Sequence, residues 1–284
     1  MKTFLDCMPC FIRQALDAVR LATSDEITHE RVLCGVMDAA SRMNLNQSPP
    51  VMGQQIHRIV RELSRNEDPY KHAKDRFNRY ALDIYPQYKK MIERSTMPLE
   101  TAVRLAIAGN IIDLGPSSEI DQSGIDDAMA HALSGRLLGN MGLLEEAVRS
   151  AENILYLGDN SGEIVFDRLL IEQLPVNKVT FAVRGSPVIN DATMADAEET
   201  GMTALVKVVD NGSDAPGTII EECSDVFRRQ FDKADLVISK GQGNYETLSD
   251  VEKDIFFILK AKCPIIAQHI GCDLGSLVIS SRRK

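Results

Sequence analysis

No apolar run in the 284-residue chain approaches the roughly 20 residues that a membrane-crossing helix needs, so no membrane partner is expected. A secretory leader is missing too. The first residues, M-K-T-F-L-D-C-M-P-C, carry one lysine, and Asp6 interrupts any hydrophobic region at once, which makes the cytoplasm the expected location. Positive charge is the next shortage. Lys and Arg number 32 against 41 Asp and Glu, a net charge of −9, and no basic stripe runs along the chain. A polyanion-binding protein needs such a stripe to neutralise phosphates, so nucleic acid is not the expected partner. The basic tail Arg282-Arg283-Lys284 is short and reads as solvated. A small phosphorylated ligand is still allowed, because one metal ion and one lysine offset its charge locally.

Fingerprints of common cofactors are also lacking. The chain has no dinucleotide G-x-G-x-x-G and no G-x-x-x-x-G-K-[ST] phosphate loop. Of six cysteines only Cys7 and Cys10 are closely spaced; Cys34, Cys223, Cys263 and Cys272 form no second pair of that kind. A chain this long without a leader has no need of disulfide staples. Internal repeats and low-complexity tracts are absent.

What remains is ordinary globular composition, 44% hydrophobic and 26% charged, enough for one sizeable core or two modest domains. The first half reads as helices. Phe11, Ile12, Ala15, Leu16 and Val19 recur at helical spacing, Thr28 is placed to cap a second helix, and Pro49-Pro50 precedes a third. Asp68-Pro69 opens a long helix that Pro86 would bend, and the pattern restarts over 96–108. From Asn153 short apolar runs alternate with helical stretches. Strands are expected at 154–157, 179–183, 205–209, 236–238, 256–259 or 265–267, and 277–279, with helices over 164–174 and 218–233. Such alternation specifies a parallel sheet covered on both faces. The fold class is therefore α/β: a mainly helical domain over 1–150, its boundary between 110 and 150, and a doubly wound, mostly parallel-sheet domain over 151–284.

In such sheets ligands bind beyond the carboxyl ends of the strands, so the loops after those ends are where chemistry belongs. After the first strand stands Gly158-Asp159-Asn160-Ser161-Gly162-Glu163. A carboxylate and a carboxamide side by side offer two hard oxygen ligands for Mg²⁺, Mn²⁺ or a similar ion, and Ser161 and Gly162 open a helix whose N–H groups favour an anion. After the second strand come Arg184 and, seven residues on, Asp191, a further hard ligand. Each acidic residue has a plainer reading as a helix N-cap. The loop 210–218 either cradles a phosphate or simply turns. After the fourth strand, Lys240-Gly241-Gln242-Gly243-Asn244 brings one positive charge and close backbone approach to the same edge. Four polar loops converging where the fold places a site favour a catalytic reading over caps.

At these residues the sequence resembles the damage-control phosphatases, in particular the stand-alone microbial subgroup with an N-terminal Cys-x-x-Cys. The likeness runs through C-M-P-C at 7–10, A-G-N-I-I-D at 108–113, G-D-N-S-G-E at 158–163, R-G-S-P-V-I-N-D-A-T at 184–193 and K-G-Q-G-N-Y-E at 240–246. It implies a helical domain on an α/β domain and hydrolysis of phosphate from small metabolites. It implies a divalent metal (Mg²⁺, Mn²⁺, Co²⁺ or Ni²⁺) on Asp159, Asn160 and Asp191, and phosphate contacts from Lys240. Ser161, Arg184, Gly241, Gly243 and Asn244 stand beside these as candidate phosphate contacts. The metal would polarise a phosphoryl oxygen and activate water, and Lys240 would stabilise the transferring group. Asn110 and Asp113, at a helix end in the first half, either cap that helix or reach over the site. Glu163 either serves the site or suits the helix dipole. Cys7 and Cys10 are structural or functional. Two rivals remain: a nucleotide- or coenzyme-dependent transferase, including a methyltransferase, and a redox or metal-sensing protein built on Cys7 and Cys10. The sequence leaves the oligomeric state open.

Overall fold

The computed structural model describes residues 1–110 and 122–281. Three helices come first: α1 (Cys7–Ala22), α2 (Glu26–Ser41) and α3 (Pro49–Ser64). Each carries one apolar stripe, and these meet in a core of their own around Phe11, Ala15, Val19, Val32, Val36, Met52, Ile56 and Val60. The cap of α2 is Asp25, whose carboxylate accepts from the Ile27 and Thr28 N–H groups. Thr28, expected as the cap, lies inside the helix because an aspartate three residues earlier satisfies more of the orphan donors. Proline at the start of α3 costs nothing, since the first-turn N–H groups lack partners anyway.

Helix α4 (Lys71–Glu93) runs unbroken through Pro86 and is followed by α5 (Pro98–Gly109), α6 (Gln122–Ser134) and α7 (Met141–Ser150). These pack with the sheet rather than with α1–α3. Residues such as Tyr88, Leu105, Ala106 and Leu144 share a core with Tyr156, Phe181, Ile238 and Ile258. Among the described residues no helix is long and apolar enough to cross a membrane.

The sheet has seven strands: β1 (Leu137–Leu138), β2 (Ile154–Leu157), β3 (Val179–Val183), β4 (Lys207–Asp210), β5 (Leu236–Lys240), β6 (Ile255–Lys260) and β7 (Leu277–Ser281). Their order is β1-β7-β6-β5-β2-β3-β4. All neighbours are parallel except β6 and β7, where Ile258 faces Ile279. Alternate side chains go to opposite faces. Tyr156 joins the core under α4, α5 and α8 (Glu163–Ile171), while Leu155 and Leu157 join a second core under α11 (Asp225–Lys233), α12 (Gly241–Leu248) and α13 (Pro264–Ile270). The short helices α9 (Met194–Glu199) and α10 (Met202–Leu205) link β3 to β4.

Three expected elements differ. Leu205 ends α10, so the third long strand starts at Lys207. The apolar stretch 265–267 is helical, within α13, because Pro264 fits a first helical turn. The helix expected over 218–233 is divided, with a 3-10 turn at Ile220–Glu222 and then α11, whose start is fixed by the Ser224 hydroxyl accepting from the Phe227 N–H.

The strand order reverses between β2 and β5, from which the chain winds outward in both directions. A crevice forms at such a reversal because the connections leave to opposite faces. Asp159 follows β2 and Lys240 ends β5, so both flank it.

Candidate active site

Helix α8 begins at Glu163 with Gly162 at its N-cap position, at φ 74°. This left-handed conformation favours glycine, and a Cβ there would lie 2.9 Å from that of Phe77. Asp159 and Asn160 therefore precede the helix without capping it. Asp191 does not cap either: α9 is capped by Thr193 in a reciprocal box with Asp196. The plainer reading fails at all three positions, and another reason is needed for their burial.

Asp159 and Asp191 are buried and Asn160 half-buried. A backbone bridge pairs Asn160 with Asp191, and the Ala192 N–H donates to the Asp159 carbonyl at 2.8 Å. Ile189, just ahead of Asn190 and Asp191, sits at φ 45°. A β-branched residue in that region is strained, and strain of this kind persists only where surrounding structure imposes it. Here Ile189 packs against the core of α1–α3, which holds the loop over the strand tips.

The side chains use their polar atoms unevenly. Asp159 Oδ2 accepts from Asn110 and Asn160 Nδ2, each at 2.9 Å. Asp191 Oδ2 accepts from Arg184 Nε at 2.6 Å. Asn160 Nδ2 also donates to Glu163 Oε2 at 2.9 Å. Among the described residues Asp159 Oδ1, Asn160 Oδ1 and Asp191 Oδ1 accept no hydrogen bond, though Arg184 Nη2 stands 3.8 Å from Asp159 Oδ1. Burial, then the neighbouring Glu163 and Asp191, push Asp159 well above the usual carboxylate range, against Arg184 and Lys240. Burial raises Asp191 as well, partly offset by Arg184. Acids raised this way share too little positive charge. Two carboxylates and a carboxamide, each presenting an oxygen without a donor, suit a hard divalent cation. Among the described residues no three Cys, His, Asp or Glu side chains converge on a metal position, so a cation held here would draw on the carboxamide as well.

Lys240 is fully buried and lies beneath this cluster. Its Nζ donates to the Ala106 carbonyl at 2.9 Å, Glu163 Oε1 at 2.5 Å and Asp167 Oδ1 at 2.6 Å. All three ammonium protons are thus engaged. Burial opposes its charge, but Asp167 and Glu163 more than restore it, and its pKa lies above the usual lysine range. Asp167, raised to about 6 by burial against the pull of Lys240, also accepts from Tyr156. Neither Asp167 nor Tyr156 stood out in the sequence, since both read as ordinary positions of a helix and a strand.

Gly241, at φ 77°, lets the backbone pass Asp159: a Cβ would lie 1.9 Å from Asp159 Oδ2. At Gly243 a Cβ would lie 2.2 Å from the Pro216 carbonyl oxygen. Asn244 donates to the Gly158 and Lys240 carbonyls and accepts from Arg184 and Thr218, so its side chain ties the loops together. Ser161 is directed to Asp196, at 2.9 Å, where it links α8 to α9. Asn110 ends α5 and also donates to Asp159 and Glu163, so the cap reading of this residue is incomplete. Asp113 lies outside the described residues.

A cavity of about 420 Å³ opens onto Asp159, Asn160, Asp191 and Asn110. Its far wall comes from α1 and α3, including Cys7, Cys10, Phe11 and Gly53, and Lys262 and Cys263 after β6 close the side. The chain's residues 3–278 match the damage-control phosphatase ARMT1-like domain. It belongs to that family. It is 34% identical to the damage-control phosphatase PH1575 of Pyrococcus horikoshii, over 98% of this chain and 97% of the relative. It is 33% identical to a damage-control phosphatase of Archaeoglobus fulgidus, over 96% of each. The crystal structure of the DUF89 family protein from P. horikoshii superposes with a TM-score of 0.91 at 33% identity, covering both chains completely. The family member described here thus carries its polar cluster at the topological switch point, under a wall supplied by α1 and α3.

Proposed function

We propose that this protein is a metal-dependent phosphatase acting on a small phosphorylated metabolite. The observation that carries the reading is the donor set: Asp159 Oδ1, Asn160 Oδ1 and Asp191 Oδ1, none accepting a hydrogen bond among the described residues, on residues that line one cavity. These three residues would hold Mg²⁺, Mn²⁺ or a similar ion. Bound there, the ion supplies charge neutralisation and Lewis-acid polarisation of a phosphoryl oxygen.

The protein's own groups do the rest. Asn110 fixes Asp159 and Glu163 by its two N–H groups, and Lys240 holds Glu163 from below. Arg184 keeps the Asp191 carboxylate in place, and its Nη2, buried and without a hydrogen-bond acceptor among the described residues, places a positive charge 3.8 Å from Asp159 Oδ1. Lys262, on the cavity wall, donates from Nζ to the Asn110 carbonyl at 2.5 Å and so adds a cation at the cavity's edge. Such preorganised charge is how phosphoryl transfer is catalysed, since the reaction asks the protein for positioning and electrostatics. The cavity volume suits a metabolite of small-molecule size. That the Pyrococcus and Archaeoglobus relatives are named damage-control phosphatases supports the same reading.

The test uses chelator-stripped protein, a panel of phosphorylated metabolites and titration with Mg²⁺, Mn²⁺, Co²⁺ and Ni²⁺. Phosphate release should depend on metal, and Asp159→Ala and Asp191→Ala should each abolish both metal binding and release. Asn160→Ala, which removes no charge, should weaken them less. Metal-saturable turnover in Asp159→Ala at the parent's level would overturn the site.

A further inference from the structure

The Cys-x-x-Cys pair plays no part in the chemistry above, yet it faces the same cavity. Cys7 is the first residue of α1 and Cys10 lies one turn on, so both fall on one side of the helix. Cys263, at the N-cap of α13, lines the same cavity as both. Cys10 is exposed, while Cys7 and Cys263 are half-buried. Burial raises the Cys7 thiol against the hydrogen bond it shares with the Phe4 backbone, and Glu246, Cys263 and Cys10 add to the rise. Among the described residues no three Cys, His, Asp or Glu side chains are placed to hold a metal.

We propose that Cys10, Cys7 and Cys263 form a thiol–disulfide exchange site in the cavity wall, whose oxidised form is a Cys7–Cys263 link that pins α1 to α13 and restricts entry to the metal site. The oxidant is a low-molecular-weight disulfide, RSSR. The Cys10 thiolate attacks one of its sulfurs, the S–S bond breaks, and RS⁻ leaves and takes a proton. Cys7 then attacks the Cys10 sulfur, expelling the second RSH and forming Cys7–Cys10. Attack by Cys263 on the Cys7 sulfur moves the bond to Cys7–Cys263 and returns Cys10 as a thiol. Two thiols are oxidised and one RSSR becomes two RSH. The exposed Cys10 is the entry because exchange depends on access and on the thiolate fraction, and burial raises the Cys7 thiol.

The effect on turnover rests on the phosphatase reading, whereas the cross-link does not. The full-length protein is incubated with glutathione disulfide under native conditions, then digested without reduction and mapped by mass spectrometry. The expected results are a Cys7–Cys263 peptide, lower hydrogen exchange over residues 7–14 and 262–266, and a several-fold loss of phosphate-ester turnover that dithiothreitol reverses. Cys10→Ser should slow cross-linking. Cys263→Ser should lose the oxidation-dependent fall in turnover, each variant being compared with its own reduced form. Cys34→Ser, remote from the cavity wall, should respond as the parent does. Independent mixed disulfides on Cys10 and Cys34, a Cys7–Cys10 link alone, or a Cys7–Cys263 link with unchanged exchange would each overturn the proposal. If the reduced protein releases no phosphate with any metal, the phosphatase reading fails, while mapping and exchange still decide the cross-link.

Discussion

Lys240 shows how one side chain can be legible in type while its protein contacts stay hidden. A lysine at a strand tip beside two glycines points to anion binding, and the structure puts its ammonium on Glu163, Asp167 and the Ala106 carbonyl, with none of it exposed. In this arrangement it can reach a phosphoryl oxygen only by giving up one of those bonds. Its first duty is to neutralise two buried carboxylates and fix the glutamate that orients Asn160. Lys240→Met would leave Glu163 and Asp167 buried without their cation, and breaking a buried pair from one side costs about 3–5 kcal/mol. Urea unfolding should show a loss of that order together with a fall in turnover. Lys240→Met/Asp167→Asn, which removes charge from both sides, should recover part of the stability and none of the rate. Equal stability of Lys240→Met and the parent would contradict the ion-pair role.

At the level of elements, the placement of α1–α3 decides whether a cavity exists. These helices have their own core, so they need a tie to the sheet. One tie is Asp214, in the loop after β4, which accepts from Arg58 Nη2 at 2.6 Å, Arg61 Nη2 at 2.5 Å and Gln54 Nε2 at 2.8 Å, all on α3. Arg61 also donates to the Pro187 carbonyl in the loop that carries Asp191. Burial works against the Asp214 charge, but the hydrogen bonds from Arg58 and Gln54 hold its pKa down at about 2. A depressed carboxylate contributes stability that is present above its ordinary pKa of 3.8 and is lost as the pH falls through about 2. Asp214→Asn should therefore speed hydrogen exchange in α1–α3 at neutral pH, leave the sheet protected, and shrink the difference from the parent in strong acid. Uniform loosening of the whole chain would show that Asp214 is not a specific tie.

At the scale of the whole molecule, Glu246 on α12 sets part of the pH dependence of folding. Burial pushes its carboxyl up to about 7 from an ordinary 4.5, against the N-terminal ammonium. Between those values the folded chain keeps a proton that the unfolded chain has released. The contribution of this group is therefore full below 4.5 and is lost as the pH rises through about 7. Glu246→Gln removes that loss. Its melting temperature relative to the parent should rise between pH 5 and pH 8, and a difference that stays constant across that range would rule the effect out.

The sequence by itself determined the class of fold and the sheet edge at which the polar loops gather. Strand-length apolar runs punctuated by helices can only bury both faces as a parallel sheet, and polar loops after such strands must gather at one edge, so Asp159, Asn160, Asp191 and Lys240 were legible as a group. Periodicity also found most helices, because an apolar stripe is a local property. It could not say what each stripe packs against. The change of pattern near residue 150 placed α4, α5 and α7 with the first helices, whereas the core they complete is that of the sheet. Side-chain direction was harder to reach. Ser161 could not be seen turning to Asp196, and for Asn110 the sequence left open whether it caps its helix or reaches over the strand tips, as it does to Asp159 from a helix end 49 residues earlier in the chain. Tyr156 and Asp167 carry no motif and are joined to the site only by lying under it. Those contacts depend on how layers stack and on which face a loop presents, and both are set by long-range packing that no local pattern encodes.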